Sequence, residues 1–195
     1  VYKRQLLEIA ESQALDRINR RNNYDWVKDS FMNLKEKLSL SSLDRIEAFD
    51  ISHNQGNQVT ASCVSFTDSG PDKKNYRSMN ITLEKNDDYL ALSEAVRRRL
   101  KNLKENNKAF PDLLVIDGGK GQLNSVVNEM KKNDFGTLNI ISISKGPQRN
   151  EKYDEIHLSK HPFKLNIADL KGSSKLIQLI SCLLYTSPSP RDSSE

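Results

Sequence analysis

Leu113-Leu114-Val115-Ile116-Asp117-Gly118-Gly119-Lys120-Gly121-Gln122 sets four apolar, partly β-branched residues directly before an aspartate and a glycine turn. That is the pattern of a buried strand that delivers a carboxylate to the edge of its sheet. Aspartate is rarely buried unless it is paired or binds a metal, and reactive groups of open α/β sheets sit just beyond the carboxyl ends of the strands. Taken alone, the stretch reads equally well as an Asp-Gly turn that ends a strand. A second stretch tips the balance: Arg45-Ile46-Glu47-Ala48-Phe49-Asp50-Ile51-Ser52-His53 is another strand-like run that carries an aspartate. If the two strands lie side by side, Asp50 and Asp117 converge. Two close carboxylates repel unless a cation such as Mg²⁺ or Mn²⁺ sits between them.

The chain has 195 residues, 36% hydrophobic and 29% charged, enough for one domain of ordinary size and a flanking helix. A net charge of +4 and a pI near 9.0 permit binding to a polyanion without demonstrating it. Two cysteines, Cys63 and Cys182, make no disulfide framework, so a reducing, intracellular compartment is the simpler expectation. The longest apolar run, Leu176 to Tyr185, is interrupted by Gln178 and Ser181 and is too short to span a bilayer. The chain starts at Val1, which is read as the start of a fragment.

In chain order, Leu6 to Leu40 carries apolar residues at helical spacing and reads as one long helix or two. Its many Arg and Lys residues suit a solvated face. Ser39 to Asp44 reads as a polar linker. Three strand candidates follow, Arg45 to His53, Val59 to Thr67 and Asn75 to Ile81, joined by the turn signals Asn54-Gln55-Gly56-Asn57 and Asp68-Ser69-Gly70-Pro71. Together they predict an antiparallel meander. Asp87 and Asp88 then open a helix, Tyr89 to Lys104, where acidic residues suit the N-terminus and capping is their plain role. Arg97, Arg98 and Arg99 fan out around that helix by about 100° each, so no single ligand meets all three. The Leu113 strand comes next, followed by a helix over Gln122 to Lys132, a strand over Leu138 to Ser144 ending in Lys145-Gly146-Pro147, and a short strand over Asp154 to Leu158.

The order β-β-β-α-β-α-β, with aspartate on the first strand and on the first strand after the helix, is the layout of a ribonuclease H-like α/β fold: a mixed sheet flanked by helices. Phe49-Asp50-Ile51-Ser52-His53, Ala61-Ser62-Cys63-Val64, Tyr76-Arg77, Asn80-Ile81, Asp87-Asp88-Tyr89, Arg97-Arg98-Arg99, Ile116-Asp117-Gly118-Gly119-Lys120-Gly121-Gln122-Leu123 and Lys145-Gly146 closely resemble the C-terminal endonuclease domain of the UvrC family, the incision subunit of bacterial nucleotide excision repair. The resemblance runs from about Arg45 to Ile180 in the family's order and spacing. It divides the chain into a helical lead-in over residues 1–44, an endonuclease domain over 45–180 and a tail over 181–195.

The resemblance implies a metal-dependent cut in damaged double-stranded DNA on the 5′ side of the lesion. In the family the aspartates matching Asp50 and Asp117, with a histidine from a late helix, hold Mg²⁺ or Mn²⁺, and the aspartate matching Asp88 is also required. Oxygen ligands suit these hard ions. Lys120, Arg97 and Lys145 are candidate DNA contacts, with an exposed helix-start lysine the plain alternative for Lys120. UvrB, within a UvrA–UvrB–DNA complex, is the implied partner, the bacterial cytoplasm the implied location, and no membrane is involved. His53 lies three residues after Asp50, and strand alternation points the two to opposite sides, so it is read as a neighbour of the site or a structural residue. His157 and His161 are read as surface or core residues.

One departure bears on activity. After Ser174-Lys175-Leu176-Ile177-Gln178-Leu179-Ile180 the family's last helix continues to its histidine, whereas here Ser181 to Glu195 is a Ser/Pro-rich tail resembling translated adapter sequence. The third ligand is expected to be missing from this chain, leaving it inactive as it stands. Two rivals follow. A phosphate-cradling P-loop needs a longer glycine-bounded loop with Ser or Thr after its Lys, and here Gly121 follows Lys120. A non-catalytic ribonuclease H-like DNA-binding or scaffold module is the stronger rival.

Overall fold

Along β1 (Arg45–Asn54) the side chains alternate between two cores. Ile46 and Ala48 enter one, and Phe49 enters the other. β5 (Leu113–Asp117) does the same, with Leu113 and Val115 on the first side and Leu114 and Ile116 on the second. A strand covered on both faces must be apolar throughout, which is why Leu113 to Ile116 reads as an unbroken apolar run. The computed structural model describes residues 26–54, 58–82, 87–144, 155–159 and 164–186. The expected helical stretch before Trp26, most of the Asn54–Asn57 turn, Lys145, Asp154, His161 and residues 187–195 lie outside them.

Around β1 and β5 stand β2 (Gln58–Thr67), the two-residue β3 (Gly70–Pro71), β4 (Arg77–Ile81), β6 (Asn139–Ser144), β7 (Glu155–Leu158) and β8 (Lys164–Asn166). Among the described residues they form one eight-stranded sheet in the order β3-β2-β1-β5-β6-β7-β8, with β4 also on β2. β1, β5 and β6 run parallel, and β2 and β4 form the expected antiparallel meander with β1. Gly70, at φ 109°, makes the turn that returns β3 onto Thr67 and Phe66, a conformation costly for residues with a Cβ.

Among the described residues, two helices cover each face. On the first lie α1 (residues 26–37), which presents Val27, Phe31 and Leu34, with Leu38 just beyond it, and α4 (Ser174–Thr186), which presents Leu176, Ile177, Ile180 and Leu184. Each such side chain stabilises the fold by about 1.5–3 kcal/mol on burial. The Ser30 hydroxyl donates to the Gly172 carbonyl at 2.9 Å and the Ser173 hydroxyl to the Ser30 carbonyl at 3.0 Å, tying α1 to the start of α4. The helix read as a lead-in therefore shares the domain's core. Six residues beyond Ile180 continue α4, and Leu184 among them is buried.

The second face carries α2 (Asp88–Glu105) and α3 (Lys120–Lys132). Arg99 of α2 is 3% exposed and grips Glu47 of β1, itself 0% exposed, through two bonds: Nε to Oε2 at 2.9 Å and Nη2 to Oε1 at 2.7 Å. Arg99 thus binds no outside ligand. The Cys63 thiol lies 3.8 Å from Glu47 Oε2, and burial, reinforced by that carboxylate, pushes its pKa well above the usual thiol value.

Most expected elements match within two residues. The third meander strand begins at Arg77 rather than Asn75, because Lys73–Asn75 form a 3-10 turn whose Asn75 side chain bonds Asp72 at 2.6 Å. β8 and the 3-10 segment Ile167–Ser173 were not expected. No helix among the described residues is long and apolar enough to cross a membrane.

Removing one partner of a buried pair strands the other's charge. Arg99→Ala is expected to cost about 3–5 kcal/mol in urea unfolding, whereas Glu47→Leu with Arg99→Leu recovers most of it.

Candidate metal centre

Phe49 of β1 stands opposite Ile116 of β5 in the parallel register, so the next residues, Asp50 and Asp117, come level with each other. Neighbouring strands lie about 4.8 Å apart, and partners in a parallel pair project to the same side. Alternation puts both aspartates on the face of α1 and α4, since Phe49 and Ile116 point to the other. Both are half-buried. The two aspartates therefore follow directly on paired residues at the ends of adjacent parallel strands. β5 ends at Asp117, and the Gly118 N–H donates to the Ile143 carbonyl of β6 at 2.9 Å, which closes the edge.

The register is anchored at the opposite end by Asp112, which the sequence reading passed over. Its carboxylate accepts from the Ser42 hydroxyl at 2.7 Å, the Asp44 N–H at 2.9 Å and the Arg45 N–H at 3.0 Å, and its own N–H donates to the Arg45 carbonyl at 2.9 Å. The supposed linker before β1 is thus clamped to the residue before β5. Burial would raise the Asp112 pKa, but these hydrogen bonds, aided by the Arg45 charge, outweigh it and hold the carboxyl below its ordinary value. Nothing in the sequence distinguishes Asp112 from any polar residue before a strand.

Gly118 and Gly121, after Asp117, leave room for neighbouring side chains. The Gln122 side chain folds back to accept from the Gly119 N–H at 2.8 Å, capping α3. A Cβ on Gly118 would lie 1.9 Å from Gln122 Oε1, and one on Gly121 would lie 2.9 Å from Tyr89 Cε1. The turn therefore admits the Gln122 cap and the Tyr89 ring. Lys120, the first residue of α3, is exposed beside this turn.

The remaining candidates separate. Asp87, not Asp88, caps α2, accepting from the Tyr89 and Leu90 N–H groups at 2.9 and 3.3 Å. Asp88 instead bonds His53 Nε2 at 2.7 Å. Arg97 is held by Glu94 through bonds of 2.9 and 2.7 Å, with Glu129 at 3.8 Å. α2 runs antiparallel to β1, from Asp88 near His53 down to Arg99 at Glu47, so Arg97 lies about 13 Å along the helix from Asp88. Arg98 donates to the Asn80 carbonyl. Of the three consecutive arginines, then, each has a partner within the chain. His157 pairs with the Ser144 hydroxyl at 3.0 Å, in keeping with a structural role.

Residues 35–183 match the family described as UvrC RNAse H endonuclease domain. The chain belongs to that family. Among relatives, UvrABC system protein C of Nitrosococcus oceani is 45% identical over 131 residues, 66% of this chain and 21% of that protein. UvrABC system protein C of Pseudomonas putida is 35% identical over 178 residues, 89% of this chain and 28% of that protein. The UvrC-type chain thus spans about a quarter of the length of the curated relatives it matches. A solved structure, the catalytic domain of human Endonuclease V, aligns at TM-score 0.44 and 16% identity over 69% of this chain and 58% of that one, a likeness too distant to add to the reading.

A carboxylate whose pKa is lowered on folding stabilises the fold above its unfolded pKa, and that contribution is lost as pH falls through the folded value. Asp112→Ala is expected to lower the thermal midpoint at pH 7 by a few degrees, with the gap from the parent chain closing below about pH 4.

Proposed function

We propose that this domain makes the divalent-metal-dependent 5′ incision in damaged DNA during nucleotide excision repair. The observation that carries this reading is the level placement of Asp50 and Asp117 at the ends of adjacent parallel strands, in a family of endonuclease domains. The donor chemistry fits. Mg²⁺ and Mn²⁺ are bound through one or two carboxylates, with water and substrate phosphate completing the shell. Asp50 and Asp117 would hold the ion. Among the described residues no group of three or more His, Cys, Asp or Glu could hold an ion, so in this reading two carboxylates are this chain's described share of the site.

Once bound, the ion supplies charge stabilisation at phosphorus and a lowered pKa for an attacking water. Hydrolysis would add a water oxygen to phosphorus, break the bond to the leaving sugar oxygen and deliver a proton to that oxygen. The chain's own part is positional. The two rigid strand ends fix the carboxylates, and Lys120 at the start of α3 offers a cation to the neighbouring backbone. UvrA and UvrB present the lesion in this reading, and the reaction takes place in the bacterial cytoplasm.

With its last helix completed through the family's histidine, grafted in place of the matching domain of a UvrABC system protein C and supplied with UvrA, UvrB and Mg²⁺ or Mn²⁺, the domain is expected to cut lesion-bearing DNA 5′ to the damage. Asp117→Asn should lower that rate by at least about 100-fold. Cutting that persists in a chelator, or that survives the substitution, contradicts the proposal. A graft that binds damaged DNA without cutting it supports the DNA-binding module instead.

A further inference from the structure

The His53–Asp88 pair lies beside α2, on the side of β1 that Phe49 also faces. His53 Nε2 lies 2.7 Å from Asp88 Oδ1, with the side chains 45% and 52% exposed. An ionised carboxylate only accepts hydrogen bonds, so Nε2 carries the hydrogen, and Asp88 fixes the ring with Nδ1 turned away from it. His53 lies three residues beyond Asp50, roughly 10 Å along the strand, and on the opposite face. Carboxylate bonds to Mg²⁺ are about 2.1 Å long. A carboxylate already committed to His53 on the α2 side of β1 is badly placed to share an ion with Asp50.

Beside this pair the surface is apolar. Tyr89 and Leu90 are 50% and 52% exposed, and among the described residues only Met32 is also a large exposed hydrophobic side chain. Tyr89 is nonetheless held in place. Its ring packs against Gly121, and its carbonyl accepts from the Ser93 and Ser125 hydroxyls at 2.8 and 3.2 Å. An aromatic ring fixed by a neighbouring helix and half open to water is a platform on which a nucleic-acid base can stack at little entropic cost.

We propose that His53, Tyr89 and Leu90 form a contact surface for the opened DNA strand next to the cut, and that Asp88 is a positioning residue acting through His53. His53 meets a backbone phosphate at its open Nδ1 edge while Asp88 holds the ring at Nε2. Tyr89 stacks on an unpaired base. The surface lies at the same sheet edge as Lys120 and the Asp117 turn, which supplies the continuity a strand needs. This inference rests on the nuclease reading but is tested without the reaction.

The sign of one effect separates the roles of Asp88. A surface carboxylate that merely sits near DNA repels it, so its removal tightens binding. The experiment is equilibrium binding of a bubble duplex to the chain without divalent ions, with thermal midpoints confirming that each variant folds. Asp88→Asn and His53→Gln are each expected to weaken binding about 3- to 10-fold, and the double variant to bind no more weakly than His53→Gln alone. Tyr89→Ala should weaken it about 10-fold. Manganese binding should be unchanged in Asp88→Asn. Tighter DNA binding by Asp88→Asn, additive losses in the double variant, or no loss in His53→Gln and Tyr89→Ala overturns this inference and leaves the nuclease reading standing. Failure of the parent chain to bind the duplex at all overturns this inference and leaves the nuclease reading, in which UvrA and UvrB present the DNA, to its own test.

Discussion

The parallel pairing of β1 with β5 is the constraint on which the rest depends. It sets Phe49 against Ile116 and so brings Asp50 level with Asp117. A slip of one residue would turn one aspartate into the opposite core, because side chains alternate with a period of two. Two features resist such a slip. The apolar side chains of both strands fill cores on both faces, and Asp112 clamps the entry to β1 by three hydrogen bonds to Ser42, Asp44 and Arg45. The clamp lies at the far end of the strands from the aspartates, so its effect on them passes through rigid, hydrogen-bonded backbone.

The cores explain why much of this was legible before the fold was known. Leu113 to Ile116 is buried on both sides and announces itself as a strand, and the helical spacing of Leu92, Ala95, Val96, Leu100 and Leu103 announces α2. What escaped the sequence were contacts between distant polar residues. Glu47 lies in a strand and Arg99 in a run of arginines, each unremarkable alone, yet they meet as a buried pair with the charge of each satisfied by the other. Ser39 to Asp44 looks like a linker by composition, but Leu43 is buried and its neighbours bond Asp112. The glycine turn after Asp117 reads in the sequence as a strand-ending turn, and in the fold it makes room for Gln122 and Tyr89.

β1 also separates two tasks by its alternation. Asp50 projects with Asp117 toward α1 and α4, while His53 projects toward α2 and is taken by Asp88. Four residues of one strand therefore supply a carboxylate to one side of the edge and an imidazole to the other. Gly121 couples the two sides, because the same turn that follows Asp117 carries the surface on which the Tyr89 ring rests.

The most direct test of the central claim is to locate a bound ion. Anomalous diffraction from crystals of the chain soaked in Mn²⁺ should show manganese bound jointly by Asp50 and Asp117, and that peak should vanish in Asp50→Asn. Manganese seated elsewhere, or a peak at this edge that survives the loss of Asp50, would contradict the account.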